Sequence, residues 1–282
     1  MVDPSRHADV RITILVDNLV TKGLQPEHGF SLWIEVDGQR ILFDTGQGPA
    51  LASNAPNLHV DCSRADHIVL SHGHYDHTGG LPHVLARATE VHVHCHPGVA
   101  QPRYSIGAGT ARPIKMPRAS SAALDHLPEE RLHWVLAPAR LNERVGLSGP
   151  IPRTADCEDT GGPFYLDPEG LRPDPIEDDL ALWIRTGKGL VVCVGCCHAG
   201  LINTLEHILR LNPGESIHTV IGGLHLLNAG NERLQRTISV LRTLSPDQVI
   251  ACHCTGEHAL AMLRENLGAM VSQGAAGRTY LL

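Results

Sequence analysis

Residues 71–80 read SHGHYDHTGG, and they follow a short apolar run, ADHIVL, that has the character of a buried strand. His72, His74, Asp76 and His77 therefore crowd into six positions at a strand end. Two histidines at i and i+2 point the same way from an extended segment. The adjacent Asp76 and His77 can then turn toward a second point close by. Such a set can hold two metal ions and bridge them with a water. Gly79-Gly80 leaves the chain free to turn sharply into a helix. A solvated polar loop explains a lone histidine better than it explains three with an aspartate.

The rest of the composition suits a soluble metalloprotein. The 282 residues are enough for one large α/β domain. A net charge of −7 and only 4% aromatic residues argue against a broad nucleic-acid footprint. No apolar run approaches the length of a membrane span, and the opening MVDPSRHADV has no apolar core of the signal-peptide kind. Eight cysteines without an export signal then read as reduced thiols, and a cytoplasmic location is expected. Nineteen histidines is a high count, and histidine is the commonest side-chain ligand of transition metals.

Along the chain, VRITILVDN and FSLWIEVDGQRILFDTG predict strands, the second folded at an Asp37-Gly38 hairpin. VHVHCH alternates with a period of two, so His92, His94 and His96 are expected on one face of an edge strand, structural or exposed. Residues 97–175 hold twelve of the nineteen prolines, which predicts loops and short edge strands in an insertion or lid. From about residue 180, strands alternate with the amphipathic segments GLINTLEHILRL and NERLQRTISVLRTL, followed by a last helix from near Glu257. This alternation means α/β layering. The whole chain, 1–282, is expected to be one domain.

His72-x-His74-x-Asp76-His77, in this context, resembles the signature of the metallo-β-lactamase superfamily. ILFDTG with Asp44 is similar to that fold's first motif, and a late strand ending in His253 is similar to its last. The resemblance covers about residues 10–260. It implies a mixed α/β, four-layer αββα sandwich, with the metal site on loops at one edge. By the same resemblance Asp44 orients a metal-binding histidine from behind. VDN, EHGFS, GCCHAGLINTLEH, GGLHL and CHCTG narrow it to the subgroup labelled dihydropterin–ribofuranosylaminobenzene phosphate synthase. Many superfamily members carry Gly-Asp at the fourth motif. This chain has Gly195-Cys196-Cys197-His198, and no histidine between His133 and His198. The resemblance then implies His72, His74 and His198 on the first metal and Asp76, His77 and His253 on the second, with Cys196 in place of the bridging aspartate. Two divalent ions are expected, zinc first, with iron or manganese as alternatives.

The stretch CVGCCHAG is thus read as a strand delivering His198. Cys193 is expected in the core, and Cys252-x-Cys254, straddling His253, is expected to face away from it. His225 is expected to bind substrate, donate a proton or act as a ligand, and His28 to touch substrate. Arg103, Tyr104, Arg112 and Lys115 either form a basic lid over the cleft or a solvated loop. The N-terminus of GLINTLEHILRL, just after His198, is expected to favour an anionic small molecule. A hydroxide formed between the metals would be the nucleophile. Three functions fit: a hydrolase of a small phosphorylated or carboxylated metabolite, a pterin-type transferase releasing pyrophosphate, or an iron-containing redox or non-catalytic protein. No membrane partner is expected, and the oligomeric state is left open.

Overall fold

The computed structural model describes residues 10–107 and 109–282; the first nine residues, read above for a targeting segment, and Ala108 of the SIGAGT run lie outside them. In chain order, β1 (Arg11–Val16), β2 (Ser31–Val36) and β3 (Gln39–Phe43) make an antiparallel meander. Asp37 and Gly38 both have positive φ, as the hairpin signal requires. After α1 (Pro49–Asn57) come β4 (His67–Val69), the short helices α2 (Tyr75–Thr78) and α3 (Leu81–Leu85), and β5 (His92–Cys95). Then follow β6 (Tyr104–Gly107), β7 (Thr110–Pro113), α4 (Arg118–Asp125), β8 (Leu132–Trp134), β9 (Ala139–Arg140), β10 (Val145–Leu147) and β11 (Phe164–Tyr165). The last third runs β12 (Ala181–Thr186), β13 (Gly189–Val194), α5 (Leu201–Leu211), β14 (Ile217–Gly223), α6 (Asn231–Leu244), β15 (Gln248–Cys252), α7 (Glu257–Leu267), β16 (Val271–Gln273) and β17 (Thr279–Leu281).

Two seven-stranded sheets result, ordered β17-β1-β2-β3-β4-β5-β8 and β16-β15-β14-β13-β12-β10-β9. Both have the same plan: antiparallel pairings on one side, and on the other parallel strands linked through helices. Three apolar clusters separate four layers. Ile12, Ile14, Ile34, Val69, Leu182, Val191 and Ile250 pack between the sheets. Leu42, Ile68, Val93 and Cys95 face outward onto Leu51, Leu81, Val84 and Leu124. Val192 and Val220 face outward onto Leu205, Ile238 and Leu263. Strand residues alternate between these clusters because neighbouring side chains point to opposite faces. The expected four-layer α/β sandwich is the observed architecture. No helix among the described residues is long and apolar enough to cross a membrane, and all eight cysteines are unpaired.

The middle of the chain departs from the expected insertion. Residues 97–175 supply β8 to the first sheet and β9 and β10 to the second; only β11-β6-β7 stand apart as a small third sheet. Proline density did not prevent α4, because Pro117 and Pro128 flank it rather than interrupt it.

Strand β5 is not an edge strand either, since β8 covers it. His92 and His94 accordingly meet His67 on β4 and His133 on β8. His67 Nδ1 lies 3.0 Å from His94 Nε2, and His92 Nδ1 lies 2.9 Å from His133 Nε2. Burial, then the neighbouring rings, push His94 down to about 3, and burial likewise lowers His67 and His133. Asp66 opposes the shift at His67, but its carboxylate is bonded to Arg40; Arg140 shares a cavity with His94 and His133 but lies over the Trp183 ring. A histidine whose pKa is lowered on folding stabilises fully above its unfolded value, about 6.5, and loses that contribution as pH falls toward the folded value. Thermal melts are therefore expected to show stability falling below pH 6.5. His94→Gln should flatten that limb; an unchanged limb would place its origin elsewhere.

Candidate metal centre

Asp44 follows β3 in a left-handed conformation, φ 58°, and is fully buried. Its Oδ1 accepts the Ser71 backbone N–H at 2.7 Å, and its Oδ2 accepts the Ser71 hydroxyl at 2.6 Å. The same Oδ2 lies 2.7 Å from His77 Nδ1. Asp44 thus ties the start of the histidine loop to its end. Two glycines allow the close approach. A Cβ on Gly73 would lie 2.1 Å from the Val99 carbonyl oxygen, and one on Gly195 only 2.0 Å from Ser71 Oγ.

Three side-chain groups converge, and a fourth, His72, His77 and Cys196, overlaps them. His72, His74 and His198 bring ligand nitrogens within 4.8 Å of one another, with ring centroids 4.5, 4.7 and 4.9 Å apart. His28, Asp76 and His253 form a second group, in which Asp76 Oδ2 is 3.2 Å from His28 Nε2 and 3.3 Å from His253 Nε2. His77 lies between the two, with Nε2 3.1 Å from Cys196 Sγ and 3.9 Å from Asp76 Oδ2. The third group is Cys196, His225 and Cys254. The expected trio around His198 is thus brought together. The expected Asp76–His77–His253 set is joined by His28, and Cys196 sits against His77.

The donor set suits cations. His198 Nδ1 donates to the Thr160 carbonyl at 2.8 Å, which leaves the Nε2 lone pair facing His72 and His74. His74 Nε2 and His198 Nε2 are buried without a hydrogen-bond partner. Burial first, and then neighbouring positive groups, hold His72 and His198 well below the usual histidine range; burial dominates at His74 as well. They stay neutral, as metal ligation requires. Asn18 donates to the His253 carbonyl through Nδ2, so its Oδ1 accepts from His253 Nδ1. The His253 Nε2 lone pair then faces the Asp76 carboxylate, an arrangement that a cation between them relieves. Burial alone would raise Asp76, but the charge on His77, foremost among its neighbours, holds it well below the carboxylate range. At His77 burial is outweighed by Asp44 and Asp76, which lift it to about 9.

Several residues are placed otherwise than their sequence context suggested. Arg103 is buried, its guanidinium paired with Asp178 and, at 2.9 Å, with Asp174. It is not free to meet a substrate; its work is to hold Asp178, which accepts the Gly73 N–H at 2.8 Å. Tyr104 lies on β6 opposite Tyr165 and Pro113, away from the cavity walls. Lys115 is exposed and only its backbone meets His74. The N-terminus of α5 is not open to an anion, because Glu158 already accepts the N–H groups of Ile202 and Asn203, both at 2.9 Å. Cys254 does not face away: β15 stops at Cys252, His253 adopts φ 46°, and the turn brings the Cys254 sulfur to Cys196 and His225. Cys193 is buried between the sheets as expected.

Sequence reasoning missed Phe164, whose ring lies 5.4, 5.3 and 5.8 Å from those of His74, His198 and His225. It also missed Asp17, which accepts the His253 N–H at 2.8 Å. The VDN motif was the available signal for Asp17; nothing local marks Phe164. A cavity of about 590 Å³ opens beside this centre, lined in part by Asp17, His28, His225, Leu227, His253 and His258.

Two substitutions test the supporting contacts. Arg103→Ala leaves Asp174 and Asp178 buried without their cation and is expected to cost about 3–5 kcal/mol in urea unfolding. Asp44→Asn removes the charge behind His77 and is expected to weaken metal binding about 10–100-fold in a chelator competition.

The family model described as the metallo-beta-lactamase superfamily matches residues 24–206. A 7,8-dihydropterin-6-methyl-4-(beta-D-ribofuranosyl)-aminobenzene-5'-phosphate synthase of Methanocaldococcus jannaschii is 30% identical over 257 residues, covering 85% of this chain and 84% of that one. An uncharacterized protein of the same organism is 32% identical over 258 residues, 90% and 94% of the two chains. Among solved structures, Tm1679, described as a metal-dependent hydrolase of the beta-lactamase superfamily, superposes with a TM-score of 0.82 at 28% identity, covering 97% of this chain and 99% of that one. With the two-sheet sandwich and the histidine loop in place, these matches identify the chain as a member of the metallo-β-lactamase superfamily.

Proposed function

We propose that this chain is a metal-dependent hydrolase of a small anionic metabolite, phosphorylated or carboxylated. The observation that carries the reading is the convergence of buried, partner-free imidazole nitrogens, beside an ionised Asp76, at the edge of a substrate-sized cavity. His72, His74 and His198 would hold one divalent ion, and Asp76 and His253, with His77 or His28, a second; zinc suits the mixed His/Asp set. Ions held there supply Lewis acidity at a substrate oxygen and lower the pKa of water.

The chain's own residues do the rest. Asp76 is acceptor and anchor at the point where the loop and β15 meet. His225, on the cavity wall with its ring 4.3 Å from His198, is placed to give a proton to the leaving group. Support for an anionic substrate moves from α5 to α7. Gly256, Glu257 and His258 line the cavity at the start of α7, which has no side-chain cap. Unpaired N–H groups at a helix start favour phosphate or carboxylate. Leu19, Leu227, Ala251 and Leu260 give the same cavity apolar walls, against which a flat ring would pack.

The 30% identity to a named pterin synthase favours a second reading. In it the same centre joins a pterinylmethyl diphosphate to an aminobenzene riboside phosphate and releases pyrophosphate. Turnover of simple phosphodiesters without pyrophosphate release supports the hydrolase. Pyrophosphate release that needs both substrates replaces it with the transferase, and iron with neither activity overturns both. His72→Ala with His74→Ala is expected to remove about one metal per chain; unchanged metal content would refute the ligand assignment. His225→Gln is expected to lower kcat by about 10²-fold or more with metal content intact.

A further inference from the structure

The imidazole quartet of β4, β5 and β8 lies outside the centre just described and is independent of its function. Its residues share the face of the first sheet that carries Val69 into the core between the sheets. The four rings close a cycle: His67 to His94 at 5.1 Å between centroids, His94 to His133 at 4.6 Å, His133 to His92 at 5.1 Å, and His92 to His67 at 6.0 Å. Three of these spacings come close to the 4.5–4.9 Å among His72, His74 and His198 in the same chain, and the His92–His67 spacing is wider. As the rings stand, no three of these residues bring ligand nitrogens within 4.8 Å of one another as His72, His74 and His198 do, so a shared ion requires the rings to turn until their nitrogens stand roughly 3.4 Å apart.

We propose that His67, His92, His94 and His133 form a binding site for one late first-row divalent cation, of the zinc, nickel or copper class that imidazole favours. The nitrogens meet in two hydrogen-bonded pairs, and turning the rings about their Cβ–Cγ bonds redirects them without moving the strands. Among the described residues no rival cation occupies the place: Arg140 reaches the adjoining cavity wall, but its guanidinium lies 5.3 Å over the Trp183 ring. The site is partly open to solvent through His67, His92 and His133. A bound ion would clasp β8, a three-residue edge strand, to β5 and to β4 beyond it.

Purified protein dialysed against Zn²⁺ tests this by metal counting. His94→Gln with His133→Gln is expected to hold one zinc fewer per chain than the wild type, and equal counts would overturn the proposal. A second measurement needs no variant. Diethyl pyrocarbonate labelling of the wild type, mapped by peptide mass, is expected to fall several-fold at His67, His92 and His133 when Zn²⁺ is added. Unchanged labelling at these three residues would overturn it, whatever happens at His72 and His74.

Discussion

The centre depends on one buried carboxylate. Asp44 is fully inaccessible, yet its two oxygens take a backbone N–H, a hydroxyl and an imidazole N–H. A buried anion is costly unless it is paired and hydrogen-bonded, and here the compensation is the histidine loop itself. Ser71 and His77 cannot leave Asp44 without stranding it. This locks the loop at both ends while the side chains between them remain aimed at His198 and His253. Gly195 exists as a glycine for the same reason, because any Cβ there would strike the Ser71–Asp44 contact.

Much of this was readable in the sequence, and the reasons differ by element. The hairpin at Asp37-Gly38, the helices α5 and α6 and the core role of Cys193 follow from local periodicity and turn chemistry, which act over a few residues. The HxHxDH loop is legible because its candidate ligands are contiguous. Arg103 was not, because its partners Asp174 and Asp178 lie more than seventy residues away. A buried ion pair of that span leaves no trace in composition. Phe164 is opaque in the same way. Cys254 was misplaced because strand alternation was extended past Cys252, where the positive φ of His253 ends it. The histidines of β5 were misplaced because whether a strand lies at an edge depends on a three-residue partner, β8, too short to recognise.

The two sheets repeat one plan, and the residues that could hold metal fall at equivalent places in it. Asp44 follows β3 and Gly195–His198 follows β13, each strand lying where the antiparallel half of its sheet meets the parallel half. The histidine loop follows β4, and His225 follows β14. The C-terminal ends of parallel strands from both sheets therefore open toward the same edge of the sandwich. Ligand sites in open α/β sheets form at the carboxyl ends of strands, and stacking two such sheets face to face superposes two of these ends. The centre is a product of the architecture before it is a product of any single ligand.

The segment around Glu158–Phe164 carries a consequence for entry and exit. Its Glu158 caps α5, its Thr160 carbonyl holds His198 in one tautomer, and Phe164 rests on three of the histidine rings. Swinging this segment aside would free the orientation of His198 and uncap a helix together. With that segment in place, the cavity opens along the flank lined by Asn18, Leu19, His28 and Leu227. The shape of that doorway is therefore tied to the centre itself, because Asn18 holds His253 and His28 meets Asp76.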